Sequence, residues 1–353
     1  MASKIKAMAN KCSGCGDNLE FNPDASCLSC PSCKNMVNIN STLGMPKHKL
    51  NEEKLSSHKN NSWASLVKSM QCPNCGAKVV LQTYETSASC PYCATSLIAT
   101  KQMYDGIKPD SIIPFAFGKE KATEIFKQTI KNKWLVPKEL KNSVSAEEVF
   151  PFYIPTFIFD AECSTSYNGR LFRYEDGEDE TGTQRKRKYF TIEGKTDTTH
   201  NNIEIEASTK LTQFELNSIK PFNFEKANIY TDEFIYGYGL ECYSNSLNET
   251  NNQAKTIIKQ EIKNNILRDY KYDGIDYLDM LTTYKDEKYN YCILPVYRFN
   301  YSYKNKQYSN LMNGQTGKLG GDYPKSALKI SLIVILSLLL VFVPIIAIIM
   351  AVI

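Results

Sequence analysis

Five cysteines crowd the stretch KCSGCGDNLEFNPDASCLSCPSCKN, Lys11 to Asn35, and thiolates at this spacing bind metal. Two cysteines separated by two residues let a tight turn aim both sulfurs at one ion, about 2.3 Å away when the ion is zinc. A tetrahedral site needs four such ligands, and a second cluster, MQCPNCGAKVVLQTYETSASCPYCATS, indicates which four. Cys12, Cys15, Cys30 and Cys33 fall on Cys72, Cys75, Cys90 and Cys93 at a constant offset of 60 residues (72 − 12). Cys27 falls opposite Ser87. The spacing Cys27-x-x-Cys30 is itself suitable for a ligand pair, so Cys27 competes with Cys30 on spacing, and the repeat favours Cys30.

Each set reads C-x(2)-C, fourteen residues, C-x(2)-C, with Gly16 and Gly76 directly after the second cysteine, where a knuckle calls for positive φ. No ligand position is left open, so both sites are expected to be structural. The ion replaces the hydrophobic core that units of about 25 residues cannot build. Two zinc ions are the expectation, with iron or an iron–sulfur cluster on the same ligands as the alternative. Cys27 is expected to be a free thiol near the first ion, and Cys163, Cys242 and Cys292 to be small buried hydrophobes.

The elements that must position these ligands follow from pattern. Of 353 residues, 42% are hydrophobic, enough for two or three domains. The sequence predicts an α+β chain: a zinc ribbon at 1–37; a polar linker at 38–70 ending in a short amphipathic helix; a second ribbon at 71–100; and an α+β domain at 107–324. The helix in the linker would be capped by Ser62 and carry Trp63, Leu66, Val67 and Met70 on one face. Within 107–324 the pattern of strand, helix and strand occurs twice. Ala122, Ile125, Phe126 and Ile130 form one helical stripe, and Ala254, Ile257, Ile258, Ile262 and Ile266 the other. Each precedes an aromatic alternating run, FPFYIPTFIFDAE and YNYCILPVYRFNYSY, which suggests two related halves, about 107–215 and 216–324. Between them YEDGEDETGTQRKRKYF sets acids against Arg185, Lys186, Arg187 and Lys188, as a hairpin with mutually neutralising arms would.

The uncharged stretch 330–353 would reach about 36 Å as a helix, against roughly 30 Å of bilayer hydrocarbon. It is expected to be a single transmembrane helix, a tail anchor with Lys325 and Lys329 on the cytoplasmic side. The N-terminus lacks an apolar signal region, so the preceding domains are expected to be cytoplasmic at the inner membrane, where twelve cysteines favour metal over disulfides.

Enzyme signatures are missing. His48, His58 and His200 lie in polar sequence without spaced partners, and NGQTGKLGG departs from a phosphate-binding loop at Met312 and Leu319 and reads as a tight turn. The net charge is +4, and ten lysines against six acids in the first hundred residues are offset by the negative charge of two tetrathiolate zinc sites. No arginine precedes Arg170, so the ribbons lack the side chain most used to read guanine.

The combination of CSGCG, CPSCK, CPNCG and CPYCA with KNKWLVPKEL, YIPTFIFDAE, LPVYRF and NGQTGKLGGDYPKSALKI resembles the bacterial membrane-anchored double zinc-ribbon proteins, whose ribbons are described as transcription-factor-IIB-type or primosomal-helicase-like. Some of these are encoded with phage-shock-type coat proteins and flotillin-like proteins of membrane-stress systems. The resemblance implies zinc ligation by Cys12, Cys15, Cys30, Cys33, Cys72, Cys75, Cys90 and Cys93, and no catalytic residue. The expected function is thus a non-catalytic, tail-anchored adaptor that assembles protein partners at the cytoplasmic face of the membrane, with no small-molecule substrate. A membrane-tethered nucleic-acid-binding protein is the alternative.

Overall fold

The computed structural model describes the backbone of residues 11–50, 67–82, 87–93, 95–98, 107–143, 148–179, 182–208 and 210–352. Two long strands dominate it. β10 (Glu148–Asp179) and β14 (Gly274–Tyr303) pair antiparallel from Glu148 opposite Asn300 to Phe172 opposite Gly274. Their middle portions are apolar on both faces because both faces are covered. On one side Tyr153, Phe157, Tyr291, Tyr297 and Phe299 meet Ala122, Phe126 and Ile130 of helix α1 (Lys119–Asn132). Phe126 stacks on Phe299 with ring centroids 4.4 Å apart. On the other side Phe152, Ile154, Ile158, Leu294 and Val296 meet Leu216 and Ile219 of a short helix, Gln213–Ile219.

The centre of this pair has a local two-fold character. Ile154 lies opposite Leu294, and around that point Ile154-Pro155 and Leu294-Pro295 are equivalent at an offset of 140 residues (294 − 154). The strand β9 (Ser111–Ile112) runs parallel to β14 at Cys292 and Ile293, and β13 (Gly239–Glu241) runs parallel to β10 at Phe152 and Tyr153, the positions 140 residues earlier. Each half therefore lends its short strand to the long strand of the other. The two prolines, poor residues for a central strand, sit where the outer neighbour changes. Along β10, pairing with β13 stops at Tyr153 and pairing with β11 (Gly182–Glu206) starts at Thr156; likewise along β14, pairing with β9 stops at Ile293 and pairing with β15 (Lys306–Asn313) starts at Val296. The Pro155 and Pro295 carbonyls accept from Ala207 and Gly314 in these gaps, so the missing N–H on that edge leaves no ladder bond unmade.

Beyond the core, β11, β10 and β14 continue as a three-stranded arm. One face of it, with Ala161, Cys163, Leu171 and Ile192, is covered by Ile258, Ile262 and Ile266 of α4 (Leu247–Arg268; the two shorter helices, Lys138–Ser143 and Gln213–Ile219, are α2 and α3). A reciprocal capping box between Ser246 and Glu249 starts α4. The β10–β11 register sets Glu175 against Lys186 and Asp176 against Arg185, and Lys188 reaches Glu175 at 2.9 Å, the neutralised hairpin that the charge pattern suggests.

Several expectations need correction. The fold class is not α+β but mostly β, 42% strand against 26% helix, because the long strands absorb sequence read as loops. The expected transmembrane helix at 330–353 is also corrected. Its segment lies in helix α5 (Ala327–Val352), yet among the described residues no helix is long and apolar enough to cross a membrane. Of the amphipathic helix in 38–70, Ser62, Trp63 and Leu66 lie outside the described residues, whereas Val67 and Met70 belong to a strand, β5 (Val67–Gln71). Within the stretch expected to be a linker, residues 47–49 are held to the sheet: β4 (His48–Lys49) pairs with β14, Lys47 bonds Asp160 at 2.9 Å and His48 meets Asp110 at 2.9 Å. Polar composition there reflects partners along the sheet margin.

Candidate metal centre

In the first ribbon the knuckle Cys12–Gly16 leads into the hairpin β1 (Glu20–Asn22) and β2 (Cys27–Ser29), and the knuckle Cys30–Lys34 leads into β3 (Met36–Asn38). In the second, one knuckle joins β5 to β6 (Lys78–Gln82) and the other joins β7 (Ser87–Ser89) to β8 (Ser96–Ile98). The turns repeat bond for bond. Cys12 N–H donates to Asp17 O at 2.7 Å and Cys72 N–H to Ala77 O at 2.8 Å, while Gly16 and Gly76 donate back to Cys12 O and Cys72 O. Gly16 and Gly76 take φ of 79° and 73°, as the knuckle geometry requires, and Lys34 occupies the matching turn at 62°.

These turns bring Cys12, Cys15, Cys30 and Cys33 together, and likewise Cys72, Cys75, Cys90 and Cys93, all sulfurs of a set within 4.8 Å of one another. Sγ separations of 3.5 Å for Cys12–Cys33, 3.4 Å for Cys15–Cys30, 3.5 Å for Cys72–Cys93 and 3.6 Å for Cys75–Cys90 are far too long for a disulfide. They approach the edge of roughly 3.8 Å that a tetrahedron of 2.3 Å zinc–sulfur bonds would have. The donor set therefore fits a four-coordinate ion, and each of the two tetracysteine groups can hold one. Cys27 is buried but outside the set; its backbone pairs with Asn22 and Asn38 in the hairpin.

Protons are unevenly held. The N–H groups of Cys15 and Gly14 bring the Cys12 thiol down to about 6. Burial opposes ionisation of Cys93, but the Thr95 hydroxyl and N–H outweigh it and bring that thiol to about 6 as well. For Cys15 the Asp17 N–H acts downward, yet the Cys30 and Cys33 sulfurs push it up to about 12, and burial raises Cys90. The proton is thus held less tightly at Cys12 and Cys93 than at Cys15 and Cys90, from which an arriving ion must displace it. The isolated cysteines behave differently: Cys163, Cys242 and Cys292 are buried, and burial raises all three, Cys292 to about 12.

The ribbons are mounted differently on the sheet. Ribbon 1 docks through the hairpin between its knuckles: Phe21 N–H donates to Tyr236 O at 2.9 Å, and the Phe21 ring meets Phe234 edge-on at 5.2 Å. Ribbon 2 docks through β6, which pairs with β13, and through the knuckle itself. Tyr92, between Cys90 and Cys93, inserts its ring beside Phe152 with the Arg298 guanidinium over its face at 4.5 Å, and its hydroxyl donates to Glu241. Lys210 Nζ donates to Cys75 O on the opposite knuckle. Glu206 and Glu241 are both buried here; burial raises both carboxyls, Glu241 to about 7. This polar cluster escaped the sequence reading. One signal was available: the repeat aligns Tyr92 with Ser32, so an aromatic residue stands inside one knuckle and a small polar one inside the other. Of the histidines, His200 is buried between Glu261 and Thr198 on the arm, His48 lies on the sheet margin, and His58 lies outside the described residues.

No family model and no solved structure matches the chain. It is similar, at 26% identity over 325 residues that cover 91% of each chain, to the uncharacterized protein YdjG of Bacillus subtilis (strain 168).

Proposed function

We propose that the chain is a non-catalytic zinc-ribbon adaptor: two structural zinc ions, on Cys12, Cys15, Cys30 and Cys33 and on Cys72, Cys75, Cys90 and Cys93, stiffen two ribbons that present surface to a partner protein. The observation that carries this reading is closure. Each group brings four of the chain's own sulfurs together, enough to complete a tetrahedron, so an ion held there would keep no position for substrate or water. Both ribbons are held on the sheet, which makes them rigid platforms. Ribbon 1 turns outward the last strand of its sheet, β3, with Met36 and Val37 exposed, and a short exposed strand edge is a surface to which an extended segment of another protein can add.

The test is an affinity capture of the full-length, zinc-loaded chain, run beside the double variant Met36→Asp, Val37→Asp. An adaptor should retain a specific protein with the parent chain and lose it with the variant, while both carry two zinc ions. Nucleic-acid binding of micromolar strength that weakens steeply with salt, with no protein retained, would replace this reading by its rival.

A further inference from the structure

We propose that the second metal site is a latch on the sheet: with its ion bound, ribbon 2 covers the outer edge of β13, and loss of that ion releases the ribbon and uncovers the edge. The inference rests on the zinc reading above and goes beyond it in making the two sites unequal. At site 1 the residues that dock, Phe21 and Asp24, lie in the hairpin, away from the ligands. At site 2 the docking group is part of the coordination turn. Tyr92 is flanked by ligands Cys90 and Cys93, and its ring and hydroxyl can reach Phe152, Arg298 and Glu241 only while that turn holds its shape. The opposite knuckle is held likewise, since Lys210 Nζ donates to the carbonyl of ligand Cys75.

What Tyr92 covers makes its withdrawal consequential. Arg298 is 8% exposed, and its Nε and Nη2 have no hydrogen-bond partner among the described residues. The Tyr92 ring thus lies over that cation beside the attraction of the Glu241 carboxyl, and the Tyr92 hydroxyl is a donor to that carboxyl, only 1% exposed. Removing the ring would leave a buried cation and a buried carboxylate poorly satisfied, which favours opening of the junction to water. The adjoining ladder is short. β6 meets β13 at Val80–Leu240 and Val79–Glu241, with one further bond from Cys242 N–H to Lys78 O. Once ribbon 2 leaves, β13 becomes an open strand edge, a template for strand addition that the metal-loaded form hides.

The experiment compares the full-length chain with Cys33→Ser, Cys93→Ser and Tyr92→Ala, measuring zinc content and hydrogen exchange of the amides at 239–242. Cys93→Ser should lose one ion and speed exchange at 239–242 at least tenfold, Cys33→Ser should lose one ion and leave those amides protected, and Tyr92→Ala should keep both ions yet speed exchange. Should Cys93→Ser fail to fold, stepwise chelation of the parent chain gives the same comparison, with deprotection of 239–242 expected to follow release of one of the two ions. Unchanged protection after site 2 is emptied, or equal deprotection from Cys33→Ser, overturns the latch while leaving the two-zinc adaptor intact. A parent chain with no zinc at the second site overturns both.

Discussion

Cys27 and Cys30 pose the sharpest choice at the scale of single residues, since two-residue spacing would let Cys30 pair with Cys27 as well as with Cys33. Only Cys30 reaches the other sulfurs, so Cys27→Ser should keep two zinc ions per chain by elemental analysis, and Cys30→Ser should lose one and unfold ribbon 1, binding energy being folding energy in so small a unit. Two ions retained in Cys30→Ser would mean that Cys27 substitutes. Glu241 supports a different kind of prediction. Burial holds its carboxyl up at about 7 against an ordinary 4.5, so the folded chain binds this proton more tightly than the unfolded one. The resulting stability is complete below pH 4.5 and is lost as pH rises through 7. Glu241→Gln has no such proton to lose, and it should gain on the parent chain between pH 4.5 and 7 by up to about 3 kcal/mol, with Glu206 leaving a residual slope of the same sign. Parallel denaturation midpoints of the two proteins across that range would contradict the assignment.

Among the elements, α4 and the arm depend on one another. Ile262 is fully buried against the arm, and Ile262→Ala should cost about 2–4 kcal/mol in denaturant unfolding; Ser246→Ala, which removes the cap hydroxyl, should cost about 1 kcal/mol. Indistinguishable midpoints would show that the helix is not load-sharing with the sheet. The stripe that makes α4 was legible in the sequence, as were Ala122, Phe126 and Ile130 of α1 and the four cysteine knuckles, because these depend on spacings within a few residues. The sheet was not. Alternation at Tyr153 and Tyr291 announces strands but not that β10 and β14 pair over their length, nor that they run on into the polar residues of the arm, since pairing is set by contacts more than a hundred residues apart. Lys47 and His48 misled for a related reason: a polar residue looks alike in sequence whether it faces water or, as here, the carboxylates of Asp160 and Asp110 on a half-exposed sheet margin. Tyr92 was missed because its partners Glu241 and Arg298 lie in other elements altogether.

Taken whole, the molecule is two halves that complete one another's sheet. Because β9 belongs beside β14 and β13 beside β10, segments 107–215 and 216–324 prepared separately should each lack a folded circular-dichroism spectrum and should recover it on mixing; a folded half by itself would show that the exchange is dispensable. The same exchange governs the order of events during synthesis. The apolar core of β10 leaves the ribosome early, yet its partner Val296 follows Phe152 by roughly 140 residues, a delay of about 7–30 s at ordinary elongation rates. Through that interval β11 and β13 can pair with one edge of β10, but the edge that β14 takes stays open and must be kept from other nascent chains, so a codon-level slowdown before residue 274 should raise aggregation, whereas the same pause after residue 313 should be harmless.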